Sequence, residues 1–263
     1  LRMEDSRITI NQITSNDFER KTYLGLFPTV NLGYEFSDKQ SLTFGYNRRI
    51  SRPRSRFINP FPSRSSATNL FQGNPDINPS YSNKVDLGYL NRFGKIVLNS
   101  SIYYEHATDV FTFISEDTGT TAIVGGTEVP VIRRTPINLA TNDRFGFEFT
   151  VTYRPTKKWN LNGNFNLFQS NTKGDYDGSN YDAENLSWFA RINNKYTLPG
   201  KIDWQTRIFY MGPSEDAQNI RKGMFSTDLA FSKDFFGESA SLAFNISDLF
   251  NSRKRQMEST TPS

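Results

Sequence analysis

The sequence contains no cysteine. Disulfides, thiolate metal sites and thiol nucleophiles are therefore excluded, and cysteine usage gives no signal of compartment. Histidine occurs once, as His106. A multi-histidine zinc site cannot be built from it, and a Ser-His-Asp triad would have to run through that one ring. Long apolar runs are also lacking: no stretch approaches the roughly 18 residues that a membrane-spanning helix needs. Carboxylates are missing from one interval. Between Lys39 and Leu70 the chain carries Lys39, Arg48, Arg49, Arg52, Arg54, Arg56 and Arg64, and no acid. No secretory leader is visible at the start, where residue 1 is Leu, so the expectation is an excerpt from a longer chain.

What is present pulls in two directions. The mean hydropathy of −0.60 suggests a wet, soluble chain. Yet 23 Phe, 12 Tyr and 3 Trp are too many aromatics for a disordered one. The net charge of +4 is mild. By length alone, 263 residues fit one large all-β domain or two ordinary domains.

Periodicity resolves the conflict. Phe145, Phe147, Phe149, Val151 and Tyr153 alternate with Gly146, Glu148, Thr150 and Thr152; Trp159, Leu161, Gly163, Phe165 and Leu167 alternate with Asn160, Asn162, Asn164 and Asn166. The same period of two runs through 202–210, 225–232 and 240–247, and more weakly through 24–36, 42–50, 84–91, 96–105 and 187–198. Successive strand side chains point to opposite faces, so each segment has one apolar and one polar side. No helical period competes.

Connections alternate as well. Short turns at 37–40, 92–95, 154–158, 199–201 and 234–238 are separated by long polar stretches near 53–80, 115–134, 170–183 and 212–222. An antiparallel up-and-down meander whose two ends face different compartments has this layout. A soluble β-sandwich also alternates, but three features weigh against it. The polar side is strongly polar, as the Asn160 to Asn166 ladder shows, which a water-filled lumen permits. Segments of about 9–11 residues match a tilted bilayer-crossing strand. Tyr34, Phe36, Phe93, Tyr153, Trp159, Tyr196, Trp204, Phe235 and Phe236 gather beside the short turns, where a membrane interface would hold amphipathic rings.

The fold class is therefore all-β: an antiparallel up-and-down transmembrane barrel, here incomplete, of about eleven strands. Phe145, Phe147, Phe149, Val151, Leu161, Phe165, Ile208, Leu229, Phe244 and Ile246 are expected on the lipid side. Asn160, Asn162, Asn164, Asn166, Glu148, Arg191, Lys195, Asp203 and Arg207 are expected on the lumen side. Because single-chain barrels close on an even count, an N-terminal portion and at least one final strand are expected beyond these residues.

Several motifs narrow this further: Phe27-Pro28-Thr29, Tyr46-Asn47-Arg48-Arg49-Ile50-Ser51-Arg52-Pro53, Asn59-Pro60-Phe61 and Gly73-Asn74-Pro75-Asp76-Ile77-Asn78-Pro79, followed by the strand from Ser82 to Tyr89. Together they resemble the C-terminal barrel half of TonB-dependent receptors, in the outer-membrane β-barrel family. Ile77 and Ser80 stand where Leu and Glu are usual. Gly146-Phe147-Glu148 and Asp248-Leu249-Phe250-Asn251 fit strands of the same family, so the resemblance covers nearly the whole chain.

The resemblance implies a barrel of 22 strands around a plug, of which residues 1–263 would supply about strands 11 to 21, with the plug domain and final strand lying elsewhere. It implies a multi-pass β-barrel in the outer membrane of a Gram-negative cell, in contact with membrane lipid and lipopolysaccharide. It also implies import of a scarce small ligand (siderophore, cobalamin or glycan) energised by the TonB complex through the N-terminal part of the parent. Nucleic acid and cofactors are not expected, and no sequence feature supports an enzyme. Two rival readings are a barrel without energised transport (passive channel, adhesin or secretion component) and a secreted all-β binding protein.

Four candidate sites follow. Arg48, Arg49, Arg52, Arg54, Arg56 and Arg64 form a guanidinium cluster suited to an anionic ligand or to lipopolysaccharide. The alternative, favoured because the motif recurs across the family, is pairing with acids of the plug or of neighbouring strands. Pro53, Asn59, Pro60, Gly73, Asn74, Pro75 and Pro79 read as structural, marking backbone that does not yet pair in a sheet. Asp175, Asp177, Asp182 and Glu184 miss the EF-hand spacing and read as a solvated acidic loop rather than a metal site. His106 has no carboxylate near it in sequence except Glu105 and Asp109, and no catalytic role is assigned to it.

Overall fold

The computed structural model describes residues 1–13, 17–216, 218–237 and 239–259. The chain opens with a hairpin of β1 (Arg2–Gln12) and β2 (Asp17–Phe27), followed by β3 (Thr29–Ser37) and β4 (Gln40–Ser51). A long connection carries α1 (Ser55–Ile58), β5 (Ser63–Ser66) and β6 (Asn69–Phe71). Four long strands come next: β7 (Ser80–Phe93), β8 (Ile96–Val124), β9 (Thr127–Thr156) and β10 (Trp159–Lys173). The small hairpin of β11 (Asp175–Tyr176) and β12 (Ser179–Asn180) precedes β13 (Ala183–Leu198) and β14 (Ile202–Met211). After β15 (Ser214–Glu215) and β16 (Asn219–Arg221) come β17 (Met224–Phe235), β18 (Ala240–Ile246) and β19 (Met257–Ser259).

The main sheet runs β3-β4-β7-β8-β9-β10-β13-β14-β17-β18, each strand antiparallel to the next, with β6 added alongside β9 and β5 on β6. It is the expected up-and-down meander, open at β3 and β18. All five short turns lie at one end and all long connections at the other. Among the described residues no helix is long and apolar enough to cross a membrane.

Register turns the alternation of single strands into two continuous faces. Leu32, Phe44, Leu87, Ile102, Phe147, Leu167 and Trp188 pair in succession across seven strands. The neighbouring row continues through Phe149 and Phe165 (ring centroids 5.3 Å apart), and Trp188 packs on Tyr210 at 4.5 Å. At the short-turn end Trp159, Tyr196 and Trp204 stand side by side, and the Trp159 indole donates to Asn194 Oδ1 at 2.8 Å. A belt of half-polar rings at this level marks the membrane boundary. All ten residues expected to face lipid lie on this side.

The nine residues expected to face the lumen lie on the other side, where polar groups satisfy one another. Asn162 donates to Thr152 Oγ1 (3.0 Å), Asn164 to Thr150 Oγ1 (3.0 Å) and Glu148 (3.2 Å), and the Tyr103 hydroxyl donates to Asn166 Oδ1 (3.3 Å). Lys195 pairs with Asp203 at 2.8 Å. The segment after β18 also closes onto this side: the Arg253 guanidinium donates to Ser226 Oγ (2.8 Å) and Asp228 Oδ1 (2.5 Å).

Three stretches differ from the sequence expectation. The segment 24–36, expected as one strand, breaks at Pro28, which has no N–H to give. Up to Phe27 the chain pairs with β1; from Thr29 it pairs with β4. β1, one of the about eleven strands expected in a single barrel wall, therefore lies with β2 in a separate two-stranded sheet. The stretch near 115–134, expected as a polar loop, is a continuation of β8 and β9. Val124 pairs with Thr127 around Gly125 (φ +58°) and Gly126 (φ +85°). Two successive positive φ values make the mirror-image hairpin turn that suits twisted strands, and glycine adopts them without strain.

Candidate functional site

The six arginines singled out in the sequence do not form one cluster, because β4 sends alternate residues to opposite faces. Arg48 is on the outward side, its guanidinium 5.6 Å above the Tyr81 ring. Arg49 points inward and lines a cavity of about 310 Å³ with Glu105, Asn142 and Arg144. Arg52 reaches the β1–β2 hairpin and donates to Glu4, which also holds Arg2 at 2.8 Å. The Arg52 hydrogen bond, helped by the Arg2 charge against a desolvation that opposes it, holds the Glu4 carboxyl below the ordinary glutamate range. Arg52 is thus neutralised by a neighbouring element. The Arg64 side chain lies outside the described residues.

Arg54 and Arg56 do come together, with a partner that sequence reasoning missed. They line a cavity of about 490 Å³ with Arg134 of β9 and the rings of Phe57, Phe71 and Phe113. Phe113 and Arg134 continue the inward-facing sides of β8 and β9. Arg134 lies outside the acid-free interval that drew attention to the others, so only the pairing of β6 with β9 brings it near.

The family-motif residues build the frame of this cleft. The Gly73 amide donates to Asn59 O (2.9 Å), the Asn74 amide to Phe57 O (2.7 Å) and the Gln72 amide to Arg134 O (3.0 Å). A Cβ on Gly73 would sit 2.4 Å from that Asn59 oxygen, so the approach requires glycine. Asn59 Oδ1 accepts from the Phe61 amide beyond Pro60 (3.1 Å), and Asn74 Oδ1 accepts from the Asp76 amide (2.9 Å). Pro75 O accepts from Lys21 Nζ of β2 (2.7 Å). Pro53, Ile77 and Pro79 are buried beneath the loop.

The remaining candidates resolve locally. Asp182 Oδ1 accepts from the Gly174 amide (2.9 Å), Asp175 Oδ1 from Asn180 (3.1 Å) and Glu184 from Gln169. Among the described residues no group of three or more His, Asp or Glu side chains is placed to hold a metal ion. His106 Nδ1 lies 2.8 Å from Asp143 Oδ1, which also accepts from the Tyr104 hydroxyl at 2.5 Å. That carboxylate comes from β9, 37 residues away in sequence, and the trio sits on the outward side above the apolar rows.

The inward wall elsewhere has a different character. A cavity of about 390 Å³ over β10, β13, β14 and β17 is lined by Asn160, Asn162, Asn193, Lys195, Arg207 and Asp228. Its charges are matched, Lys195 by Asp203 at 2.8 Å and Arg207 by Asp228 at 4.0 Å. The cleft around Arg54, Arg56 and Arg134 has no carboxylate in its lining.

Comparison with known proteins agrees with this architecture. No curated protein matches the chain. Among solved structures, the FrpB iron transporter of Neisseria meningitidis superposes with a TM-score of 0.61 at 12% identity, over 95% of this chain and 37% of that one. The siderophore receptor PirA of Pseudomonas aeruginosa gives 0.61 at 13% identity over 89% and 41%, and the copper transporter OprC gives 0.57 at 16% identity over 91% and 36%. At these identities the likeness is one of fold, and the chain spans about two-fifths of the length of these proteins. The family model described as the outer membrane protein beta-barrel family matches residues 1–263. With its lipid-side rows, aromatic belt and polar inner wall, the chain belongs to the outer membrane protein β-barrel family, and its place is the outer membrane.

Proposed function

We propose that these residues form the later part of a larger barrel whose parent protein is a receptor and importer of a scarce small ligand. The observation that carries this reading is the two-sided ten-strand sheet, with short turns at one end and, at the other, long connections that hold an arginine-lined cleft. Its fold is shared with proteins described as iron and copper transporters and a siderophore receptor. The motifs that resemble TonB-dependent receptors add the energy source: TonB, engaged through the N-terminal part of the parent. The ligand classes in view are siderophores, cobalamin and glycans. The outward side meets membrane lipid and lipopolysaccharide, and the role is one of binding and transport rather than catalysis.

The test compares cells with and without the full-length gene under iron, cobalamin or glycan limitation, with TonB intact or deleted. Growth rescue under one limitation, lost on TonB deletion and on collapse of the proton gradient, is the expected result. Rescue that persists without TonB would replace this reading by a passive channel. Absence of rescue under all three limitations, from a protein correctly assembled in the outer membrane, would reject import of these ligands.

A further inference from the structure

We propose that the cleft formed by Arg54, Arg56 and Arg134 over Phe57, Phe71 and Phe113 binds a flat, multiply charged soluble oxyanion. The site would be the first contact of the imported ligand, an assignment that rests on the importer reading above.

Convergence of charge is the first argument. Three guanidiniums line one cavity of about 490 Å³, two from the connection after β4 and one from β9, and no carboxylate shares the lining. Nearby acids are already engaged: Glu116 holds Arg133 at 2.8 Å, and Glu4 holds Arg52. Lys195 and Arg207 on the inner wall have carboxylate partners in Asp203 and Asp228, whereas no carboxylate lines this cleft, so added negative charge meets uncompensated cations here. An anion here gains charge-assisted hydrogen bonds without displacing an existing ion pair.

Geometry is the second argument. The Arg56 guanidinium carbon lies 4.2 Å from the Phe71 ring centre, and that of Arg134 lies 4.7 Å from the Phe113 centre. Phe57 packs edge-on against Phe113 at 5.1 Å and tilted against Phe71 at 6.3 Å, bracing both rings. A guanidinium held over a ring in this way is fixed in place while its N–H edge stays available for an oxyanion. The opposite face of each planar guanidinium offers a flat ligand a surface to stack on.

Preorganisation is the third. β6 pairs in parallel with β9, placing Phe71 beside Arg134, and the backbone bonds at Gly73, Asn74 and Gln72 fix the connection carrying Arg54 and Arg56. Binding therefore orders few new torsions, which lowers its entropic cost. The cleft lies on the continuation of the inward side, away from the lipid rows, so the occupant is a soluble anion rather than a lipid headgroup.

The experiment uses the purified full-length parent protein in neutral detergent, with the fluorescence anisotropy of pyrene tetrasulfonate as readout. Saturable binding is expected, displaced by mellitate (flat, polyanionic), more weakly by inorganic phosphate, and not by neutral benzamide or lipopolysaccharide micelles. Arg54→Gln, Arg56→Gln and Arg134→Gln should each weaken it about tenfold, the loss of one charge-assisted contact. Arg92→Gln, at the short-turn rim, should leave it unchanged. Heat-modifiable gel mobility verifies that each variant is folded. Equal weakening by Arg92→Gln, or displacement by lipopolysaccharide, would overturn the proposal as generic charge attraction or lipid binding. Unchanged binding in the three cleft variants would overturn it while leaving the importer reading standing. Weakened binding with unaltered uptake by the parent would remove the cleft from the import route alone. Intact binding with uptake that ignores TonB would remove energised import and leave the site.

Discussion

The same two strands, β8 and β9, present their outward side to two different surroundings. In the lower part Ile102 and Phe147 pair across the strands and remain 46% and 38% exposed, with no protein layer over them. In the upper part Ile114 and Ile137, on the same side of the same strands, are 1% and 0% exposed. There the hairpin of β11 and β12 folds over them, and Tyr176 and Tyr181 complete a small core with Leu139. The difference lies in the solvent each part meets. Where lipid covers a strand face, apolar side chains need no partner from the chain. Where strands rise into water, the chain supplies its own cover, because leaving a Leu or Ile exposed forgoes about 1.5–3 kcal/mol. Exposed apolar rows on the lower half and a buried core on the upper half are the same rule under two solvents.

The largest expected effect breaks the upper half. Ile137→Ala removes a fully buried side chain from the capped core, at a cost of about 2–5 kcal/mol. That core is small, so the loss should appear as opening of the β11–β12 cover and of the distal β8–β9 hairpin. Hydrogen exchange would rise in 110–139 and 175–183 while heat-modifiable mobility persists. Global unfolding instead would mean the two halves are one cooperative unit. Next comes Phe147→Arg on the lipid side, expected to cost about 2–4 kcal/mol if the position is near mid-bilayer, measured by reversible unfolding from vesicles. In the water-facing hairpin, Ile123→Arg should be close to neutral, since Ile123 is 75% exposed. Equal costs at the two positions would remove the distinction between the halves.

A third prediction concerns Tyr176 and Tyr181, whose phenols are pushed above the ordinary tyrosine range, first by burial and then by the Glu116 carboxylate. A group with a raised folded-state value supports the fold below its ordinary value, and the support is lost as pH rises through the raised one. Alkaline titration followed by phenolate absorbance, compared with Tyr176→Phe and Tyr181→Phe, should therefore show both of these tyrosines titrating late in the wild type. Ile137→Ala should shift them toward ordinary behaviour. Ordinary titration in the intact protein would show that the cover does not exclude water.

Legibility in the sequence followed the same division. The lower half was readable because lipid on one side and water on the other impose a strict period of two. Phe145 to Tyr153 and the Asn160 to Asn166 ladder carry their faces openly, and the five short turns follow from them. The upper half was not, because its strands are wetted or capped by chain elements distant in sequence. Residues 115–134 alternate weakly and looked like loop until the Gly125-Gly126 turn closed them into a hairpin. Pro28 is visible as a breaker, but which partner each side of it takes depends on pairing. For the candidate site, the acid-free interval pointed to Arg54 and Arg56, yet it also gathered Arg48, Arg49 and Arg52, which alternation and Glu4 send elsewhere. Arg134 and Asp143 were missed because each becomes a partner only through strand register.

The smallest effect sharpens the comparison at the join between β2 and β3. The β1–β2 hairpin leans on the rest of the molecule through the polar contacts of Arg52 with Glu4 and of Lys21 with Pro75, and at its base through Phe27, which stacks on Tyr81. Because the Glu4 carboxyl is held below its ordinary range by Arg52, its contribution is fully present above the ordinary glutamate value and is lost as pH falls through the lowered one. Isotope-edited infrared titration should find a low-titrating glutamate that returns to ordinary behaviour in Arg52→Gln. A spin-label distance between the tip of β2 and β7 should broaden over the same acidic window, and Glu4→Gln should broaden it at neutral pH. The lipid-side rows contain no titratable partner to lose, so the corresponding distance between β4 and β9 should stay constant across that window. Broadening of both distances together would mean that acid loosens the whole sheet, and the hairpin would then not be a separately attached element.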